Sequence, residues 1–361
     1  MRKALFLAFC ATISAAPVRA DTATQDRLSR YFGGWYSVCP GTSISVVEAP
    51  DVVIPGYAAY RVERKCDAKN RNELSIALVD AARDAVFVGE VFYSSDRRDQ
   101  PFVAASDLPV IEGVLQETFG LPVSVKVEAG TRGSLIPIRA SIRETPNATV
   151  GRSGFVSQDG AALLLGEFHP FGVAPELWRE RLLSESPGVR PGKGSSPATA
   201  FIDFQCEKCR VRTPQVRDFL QAHGGAMEIR FLPLVKVHNW AFAAAESAAA
   251  LSGVAPALYT KYEESIFPRA GSMNEKAARE LAVDVAEAAG VREAFDAELS
   301  SGRARERVVR DMELAMRLQL NGTPVFFYRG VYLTSEPNLA ESYIQSRQSG
   351  SSGSADKGVP R

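Results

Sequence analysis

The sequence predicts a two-part chain: an α+β amino-terminal region built on antiparallel strands, followed by an α/β domain interrupted by a block of helices. Three observations carry this. An apolar strand-like run, Phe201-Ile202-Asp203-Phe204, delivers Cys206 and Cys209, two cysteines separated by two residues. From Asn239 to about Gln319 the chain is almost wholly helical in character, Ala-rich and periodic, with breaks at Gly253, Pro268 to Gly271, Gly290 and Ser301-Gly302. Upstream of residue 183, an order of one helix followed by strand-like runs occurs twice.

The first twenty residues have the layout of an export signal. Arg2 and Lys3 precede an apolar stretch from Ala4 to about Ala16, and short side chains stand near Val18-Arg19-Ala20. Asp21 is expected to begin the mature chain. The stretch is too short to span a bilayer, and no later segment reaches the roughly 20 apolar residues that spanning requires. A soluble exported protein, periplasmic or otherwise, is therefore expected. Cys10 suggests a lipid anchor, but bulky Phe9 precedes it and the sequence ahead is short. Loss of Arg2, Lys3 and Arg19 leaves 39 basic against 42 acidic side chains, a charge of −3, which gives no basic surface for nucleic acid.

At 361 residues the chain exceeds a single hydrophobic core. The expected organisation is a signal (1–20), an α+β unit (21–104), a second α+β unit (105–183), a linker (184–197), an α/β domain (198–345) with its helical insertion at 239–319, and a disordered tail (346–361). The first unit has a helix from Gln25 to Phe32 and strands at Tyr57 to Cys66, Glu73 to Val79 and Ala85 to Tyr93. The second has a helix ending near Phe119-Gly120 and strands at Val123 to Glu128, Leu135 to Ile142, Gly154 to Ser157 and Ala161 to His169. The two share wording: Tyr31-Phe32-Gly33 echoes Thr118-Phe119-Gly120, and the Val-Gly-Glu of Val88 to Glu90 echoes the Leu-Gly-Glu of Leu165 to Glu167. An internal duplication follows, with chance similarity of two apolar hairpins as the alternative. Pro175 to Leu183 reads as a short helix, and Ser184 to Pro197, rich in Pro, Gly and Ser, as the linker. Beyond it come a strand (Ala198 to Phe204), the cysteine pair, a helix resuming after Pro214 and a strand from Glu228 to Pro233. After the helical block come Gly322-Thr323-Pro324, a hairpin at Val325 to Tyr328 and Val331 to Leu333, and a last helix from Asn338 to about Gln345.

Four cysteines remain after cleavage, and an even number is expected to pair in an oxidising compartment. The simplest pairing joins Cys39 to Cys66 as a structural staple and leaves Cys206 and Cys209 as a couple; the other two connectivities stay open. If Cys206 lies at a helix start, unpaired N–H groups and the helix dipole stabilise its thiolate. The alternatives are a static disulfide and half of a zinc site. Zinc needs four ligands, and His223, fourteen residues past Cys209, brings no second ligand at finger spacing. No metal or cofactor is expected. His169 and His238 read as packing or surface residues.

With strand, Cys-x-x-Cys, helix, strand, helical insertion, Gly-Thr-Pro, hairpin and helix in that order, residues of about 190 to 345 resemble the DsbA-like branch of the thioredoxin fold. Asp203 to Cys209 and Gly322 to Pro324 carry the resemblance. Gly154 to Gly166 also resembles the end of the amino-terminal domain of DsbC-like isomerases. The resemblance implies that Cys206 is the attacking thiolate and that Cys209 is buried and resolves the mixed disulfide. It also implies that Pro324 is cis against the pair and that the Thr323 backbone holds an extended substrate strand. Two departures bear on redox tuning. Glu207 and Lys208 stand between the cysteines, where relatives carry Pro-His, Pro-Tyr or Gly-Tyr, and they push the Cys206 pKa in opposite directions. Ala200 occupies the position six before Cys206 where many relatives place a buried acid, and Asp203 lies on a different register from that acid.

The resemblance thus implies a thiol:disulfide oxidoreductase acting on cysteine-containing exported proteins and recycled by a membrane partner. Oxidase, isomerase and reductase directions stay open, and the isomerase reading admits a homodimer through the amino-terminal region. The rival is a redox-degenerate peptide-binding or chaperone-like envelope protein on the same scaffold.

Overall fold

A computed structural model of the chain describes residues 22–36, 41–66, 71–93, 108–191, 198–333, 338 and 340–345. The expected signal, Cys39, the end of the linker and the tail lie outside the described residues. The amino-terminal region opens with helix α1 (Thr22–Trp35) and strands β1 (Thr42–Glu48), β2 (Ala58–Cys66), β3 (Arg71–Asp80) and β4 (Ala85–Tyr93). Helix α2 (Leu108–Phe119) then leads to β5 (Val123–Val127), β6 (Leu135–Thr145), β7 (Ala148–Ser157) and β8 (Ala162–Pro170).

The eight strands form one antiparallel sheet in the order β1-β2-β3-β4-β8-β7-β6-β5, so two four-stranded meanders meet along β4 and β8. At the middle of this seam Gly89 faces Gly166. A Cβ on Gly89 would stand 2.2 Å from the Leu165 carbonyl oxygen, and one on Gly166 would stand 2.2 Å from that of Val88. Both positions also have positive φ, so each requires glycine. Directly opposed residues of an antiparallel pair share a face. Val86 and Val88 pack under α1 while Leu163 and Leu165, on that same face, pack under α2. The other face, with Phe87 and Leu164, is covered by Ala49, Val52 and Ile54 from the β1–β2 connection.

Strand β1 is not among the expected elements. It is an edge strand with exposed or half-buried side chains throughout, so it lacks the apolar alternation that a buried face imposes. Strand β7 starts six residues before its expected beginning, and its small and charged residues, Gly151, Arg152 and Ser153, hide the pattern.

The carboxy-terminal domain is built on a second sheet of order β10-β9-β11-β12. Strands β9 (Ala198–Ile202) and β10 (Met227–Phe231) are parallel, and β11 (Val325–Tyr328) and β12 (Val331–Leu333) form an antiparallel hairpin. Every residue of β9, β10 and β11 is buried; β9 and β11 are mostly apolar, and the two charged residues of β10, Glu228 and Arg230, are buried as an ion pair that Asp311 joins. Helix α3 (Pro175–Ser184) precedes this sheet and α4 (Glu207–Ala222) follows β9. Helix α4 begins at Glu207 and runs through Pro214 without the expected interruption there. Pro214 removes one intrahelical bond, and the buried face of Cys209, Thr213, Val216 and Leu220 keeps the helix continuous.

Helices α5 (Ala241–Val254), α6 (Pro256–Ile266), α7 (Glu275–Ala288), α8 (Arg292–Ser300) and α9 (Arg303–Arg317) form the insertion. From Ala241 to Ser252 every residue of α5 is buried, and the other four helices pack around it. Its alanines allow that close approach. The chain is helical again at Asn338 and 340–345, where Ala340 and Ile344 join the core.

The segment expected as a linker is anchored over its first part. Val189 is buried and exchanges backbone hydrogen bonds with Ile229 on the outer edge of β10, and the buried Arg230 guanidinium donates to the Leu183 carbonyl at 2.6 Å. Helix α9 lies along β7, where Glu313 accepts from the Gly151 N–H at 2.8 Å. Arg317 joins Glu167 at 2.8 Å.

On the other side, Arg179 of α3, 1% exposed, donates to the Gly330 carbonyl at 2.7 Å and the Trp35 carbonyl at 2.7 Å, and also to that of Gly34. Burial lowers its pKa to about 10, so it remains charged at neutral pH. The Arg179→Met substitution, which leaves these carbonyls without their donor, is expected to cost roughly 2–5 kcal/mol, read as a lower urea midpoint.

Candidate functional site

The site grows from the end of β9. The chain leaves the sheet at Asp203 and turns so that the Cys206 N–H bonds the Asp203 carbonyl at 3.2 Å. Helix α4 then starts with Cys206 in the extended N-cap conformation, φ −73° and ψ 118°. Its sulfur thus faces the N–H groups that the first helical turn leaves without intrahelical partners. Cys209, one turn later, lies on the buried face with 0% exposure, and its sulfur accepts from the Asp203 N–H at 3.4 Å. Both are free thiols here.

The Thr323–Pro324 peptide bond is cis, and the Thr323 carbonyl oxygen lies 3.4 Å from Cys206 Sγ. Residues 117 positions apart in the chain therefore meet at one sulfur. The meeting follows from topology, since β11, which begins just after Pro324, pairs directly with β9, which ends just before the cysteines.

The two thiols are electrostatically unequal. Cys206 has its pKa lowered to about 5, first by a hydrogen bond from Cys209, with Thr323 and the N–H groups of Cys209 and Lys208 adding, against partial desolvation. The contact of a protonated Cys206 with the Thr323 carbonyl favours the thiol and opposes this, but it is one long bond against several donors. Cys209 moves the other way, pushed up by burial and then by the neighbouring Cys206. Glu207 is exposed and makes only a 3.7 Å pair with Arg210; Lys208 is exposed as well. Neither side chain is among the causes that shift Cys206, and what Lys208 contributes is its backbone N–H.

Ala200, fully buried between Ile229 and Phe326, brings no carboxylate beneath the pair. Two buried acids lie near the site: Asp203, which belongs to the motif that carries the resemblance, and Glu263, which the sequence did not single out. The buried Asp203 carboxylate accepts from the Gln205 N–H at 2.7 Å and the Leu234 N–H at 2.8 Å, and lies 2.7 Å from His238 Nδ1. It fastens the cysteine-bearing turn to the loop after β10. The fully buried Tyr259 of α6 donates to Glu263 at 2.6 Å, and Glu263 pairs with Arg217 of α4. Tyr259 is close enough to Cys209 for their charges to interact. Asp203 stood in the cysteine motif with its partners unreadable, and Glu263, one of two adjacent glutamates in a partly polar helix, carried no signal of its own.

Cys66 is buried and disulfide-bonded, while Cys39, its expected partner, lies outside the described residues. His169 is a fully buried packing residue, held by Tyr31 at 2.7 Å, with its pKa depressed to about 3 by burial. Among the described residues no group of three or more His, Cys, Asp or Glu side chains is placed to hold a metal ion.

A family model described as "DSBA-like thioredoxin domain" matches residues 199–343. No curated protein sequence matches this chain. Solved structures similar to it include the thiol-disulfide exchange protein alpha-DsbA2 of Wolbachia pipientis, 16% identical, covering 49% of this chain and 99% of that one with a TM-score of 0.39. The catalytic domain of Proteus mirabilis ScsC is 14% identical over 47% of this chain and 98% of its own, with a TM-score of 0.39. Oxidised BdbD of Bacillus subtilis is 16% identical over 45% and 96%, with a TM-score of 0.38.

The pKa asymmetry predicts one alkylating site. In the reduced protein, iodoacetamide should label Cys206 with a rate that rises through about pH 5 and is flat by pH 7, while Cys209 stays unlabelled; a midpoint near the ordinary thiol value would contradict the assigned environment.

Proposed function

We propose that this chain, whose residues 199–343 form a DSBA-like thioredoxin domain, is an exported protein thiol:disulfide oxidoreductase that works through Cys206 and Cys209. The observation that carries the reading is the half-exposed, low-pKa sulfur of Cys206 between a buried thiol and the cis-Pro324 loop. In the oxidising direction a substrate thiolate attacks Sγ of Cys206 in the Cys206–Cys209 disulfide. The S–S bond breaks, and Cys209 leaves with the electron pair and takes up a proton. A second substrate thiolate attacks the substrate sulfur of the mixed disulfide and expels Cys206 as a thiolate. Substrate loses two electrons and the pair gains them. Reversal of the steps reduces a substrate disulfide.

The lowered Cys206 pKa supports the oxidising direction. A thiolate stable at neutral pH is a good leaving group, and stabilising the reduced form makes the disulfide a stronger oxidant. Extended substrate chain would lie along the Thr323 backbone by strand addition. The substrates are cysteine-containing exported proteins, and a membrane redox partner would return the pair to the disulfide. Export is supported by residues 1–20; among the described residues no helix is long and apolar enough to cross a membrane.

The eight-stranded sheet is read as two copies of a helix-plus-four-strand unit, supported by the repeated element order and the Gly89–Gly166 seam. The edge that a two-chain sheet would use for pairing is then occupied within one chain. We assign Cys39 as the partner of Cys66.

Cys206→Ser should abolish oxidative refolding of a reduced protein and insulin reduction alike, and equilibration of the wild type with glutathione should give a strongly oxidising couple. Full activity of that variant would sink the exchange reading, and a wild type inert to glutathione but able to bind unfolded peptide would favour the binding-only rival. Light scattering of the full chain should report a monomer; a stable dimer would overturn the internally satisfied seam.

A further inference from the structure

Between the two parts of the molecule lies a cleft of about 340 Å³. One wall belongs to the first half of the amino-terminal sheet, with Trp35 and Tyr36 at the end of α1 and Arg64, Glu73 and Ser75 on β2 and β3. The other belongs to the active-site loop and the hairpin edge, with Gln319, Asn321, Pro324 and Tyr332. The cleft therefore shares a loop with the reactive sulfur: Thr323 O lies 3.4 Å from Cys206 Sγ, and the very next residue, Pro324, lines the cavity.

We propose that this cleft binds the extended polypeptide flanking the substrate cysteine, so that the amino-terminal sheet takes part in choosing substrates. The proposal rests on the exchange reading above and assigns the site that supplies its selectivity. Three properties fit that occupant. The first is reach: an extended chain advances about 3.3–3.6 Å per residue, so two or three residues carry a peptide bonded to Cys206 past Pro324 and into the cleft. The second is chemistry. Aromatic rings stand beside polar groups fixed by their own bonds, Arg64 to Glu73 at 2.9 Å and Tyr36 Oη to Ser75 Oγ at 2.8 Å, a lining suited to an apolar side chain carried on a polar backbone. The third is rigidity. Gln319 adopts the left-handed conformation at φ 56°, uncommon for a residue with a side chain, and its Oε1 accepts from Arg152 of β7 at 3.2 Å. With Arg179 holding the Arg329-Gly330 turn against α1, both ends of the loop-and-hairpin wall are fastened to the amino-terminal region, one to its sheet and one to its first helix.

The cleft is more polar than a pocket for a free hydrophobic ligand, and its Arg64 is already matched by a carboxylate, so neither a lipid nor a small anion fits it as well as peptide does.

The test uses the full chain and two probes: oxidised glutathione, which has one residue on either side of each cysteine and so stops short of the two or three that reach the cleft, and a ten-residue peptide whose central cysteine is activated as a mixed disulfide. Ser75→Trp places an indole in the cavity. The ratio of the peptide rate to the glutathione rate is expected to fall at least tenfold, mainly through KM. An unchanged ratio overturns the inference while leaving the exchange reading intact; a wild type inert to both probes overturns the exchange reading itself. A second measurement does not depend on the folding of that variant. A benzophenone photocrosslinker at position 75, in a Cys209→Ala background trapped with the peptide, should label residues within three of the substrate cysteine. Labelling elsewhere, or none, overturns the inference.

Discussion

One buried guanidinium holds the working geometry of this molecule. Arg179 belongs to the short helix between the two parts, and its donors are spent on carbonyls from both of them, Trp35 and Gly34 on one side and Gly330 on the other. A charge in that position is costly to bury and stays buried only while all its donors are engaged. The α1 terminus, α3 and the β11–β12 turn are thereby held in one arrangement. Close packing reinforces it: Gly330 lies so near α3 that a Cβ there would meet the Glu176 carbonyl oxygen at 1.9 Å. The cis-Pro324 loop, immediately before β11, inherits its position from this contact.

The chemistry depends on a second asymmetry, between sulfurs one helical turn apart. Both belong to identical side chains, and the fold separates them by exposure and by the hydrogen bonds each receives: Cys206 at the helix start keeps access to solvent while Cys209 is buried in the domain core. The buried thiol then serves as a donor to the exposed thiolate, which lowers one pKa and raises the other. Because the folded Cys206 pKa lies below its unfolded value, the reduced protein is favoured above the unfolded thiol pKa. That advantage shrinks as pH falls towards about 5.

Most of this was legible in the sequence where a pattern is local. Strand β4 and the hairpin of β11 and β12 fall where apolar alternation and Arg329-Gly330 place them, and the cysteines and Gly322-Thr323-Pro324 converge as their order along the chain implies. What was hidden is what depends on partners distant in sequence. Strand β1 has too little buried surface to leave a periodic signature. The bonds of Asp203 to Leu234 and His238 exist only once the loop after β10 folds back beside the cysteines. The tyrosine and glutamate of α6 reveal nothing in a helical pattern until Arg217 of α4 meets them. Pro214 suggested a break because proline in a helix interior removes a backbone hydrogen bond, and here the packed face keeps the helix continuous.

The Gly89–Gly166 contact has one further consequence. In a sheet assembled from two identical chains, each substitution at such a seam is made twice, and the contact must remain self-complementary through every change. Here the two sides are encoded at separate positions and are free to diverge. The flanking surfaces differ. The end of α1 docks α3 and the hairpin, whereas the Phe119-Gly120 end of α2 comes near Lys236 in the loop beside the cysteines. The two halves of one sheet thereby present different walls to the domain that carries the cysteine pair.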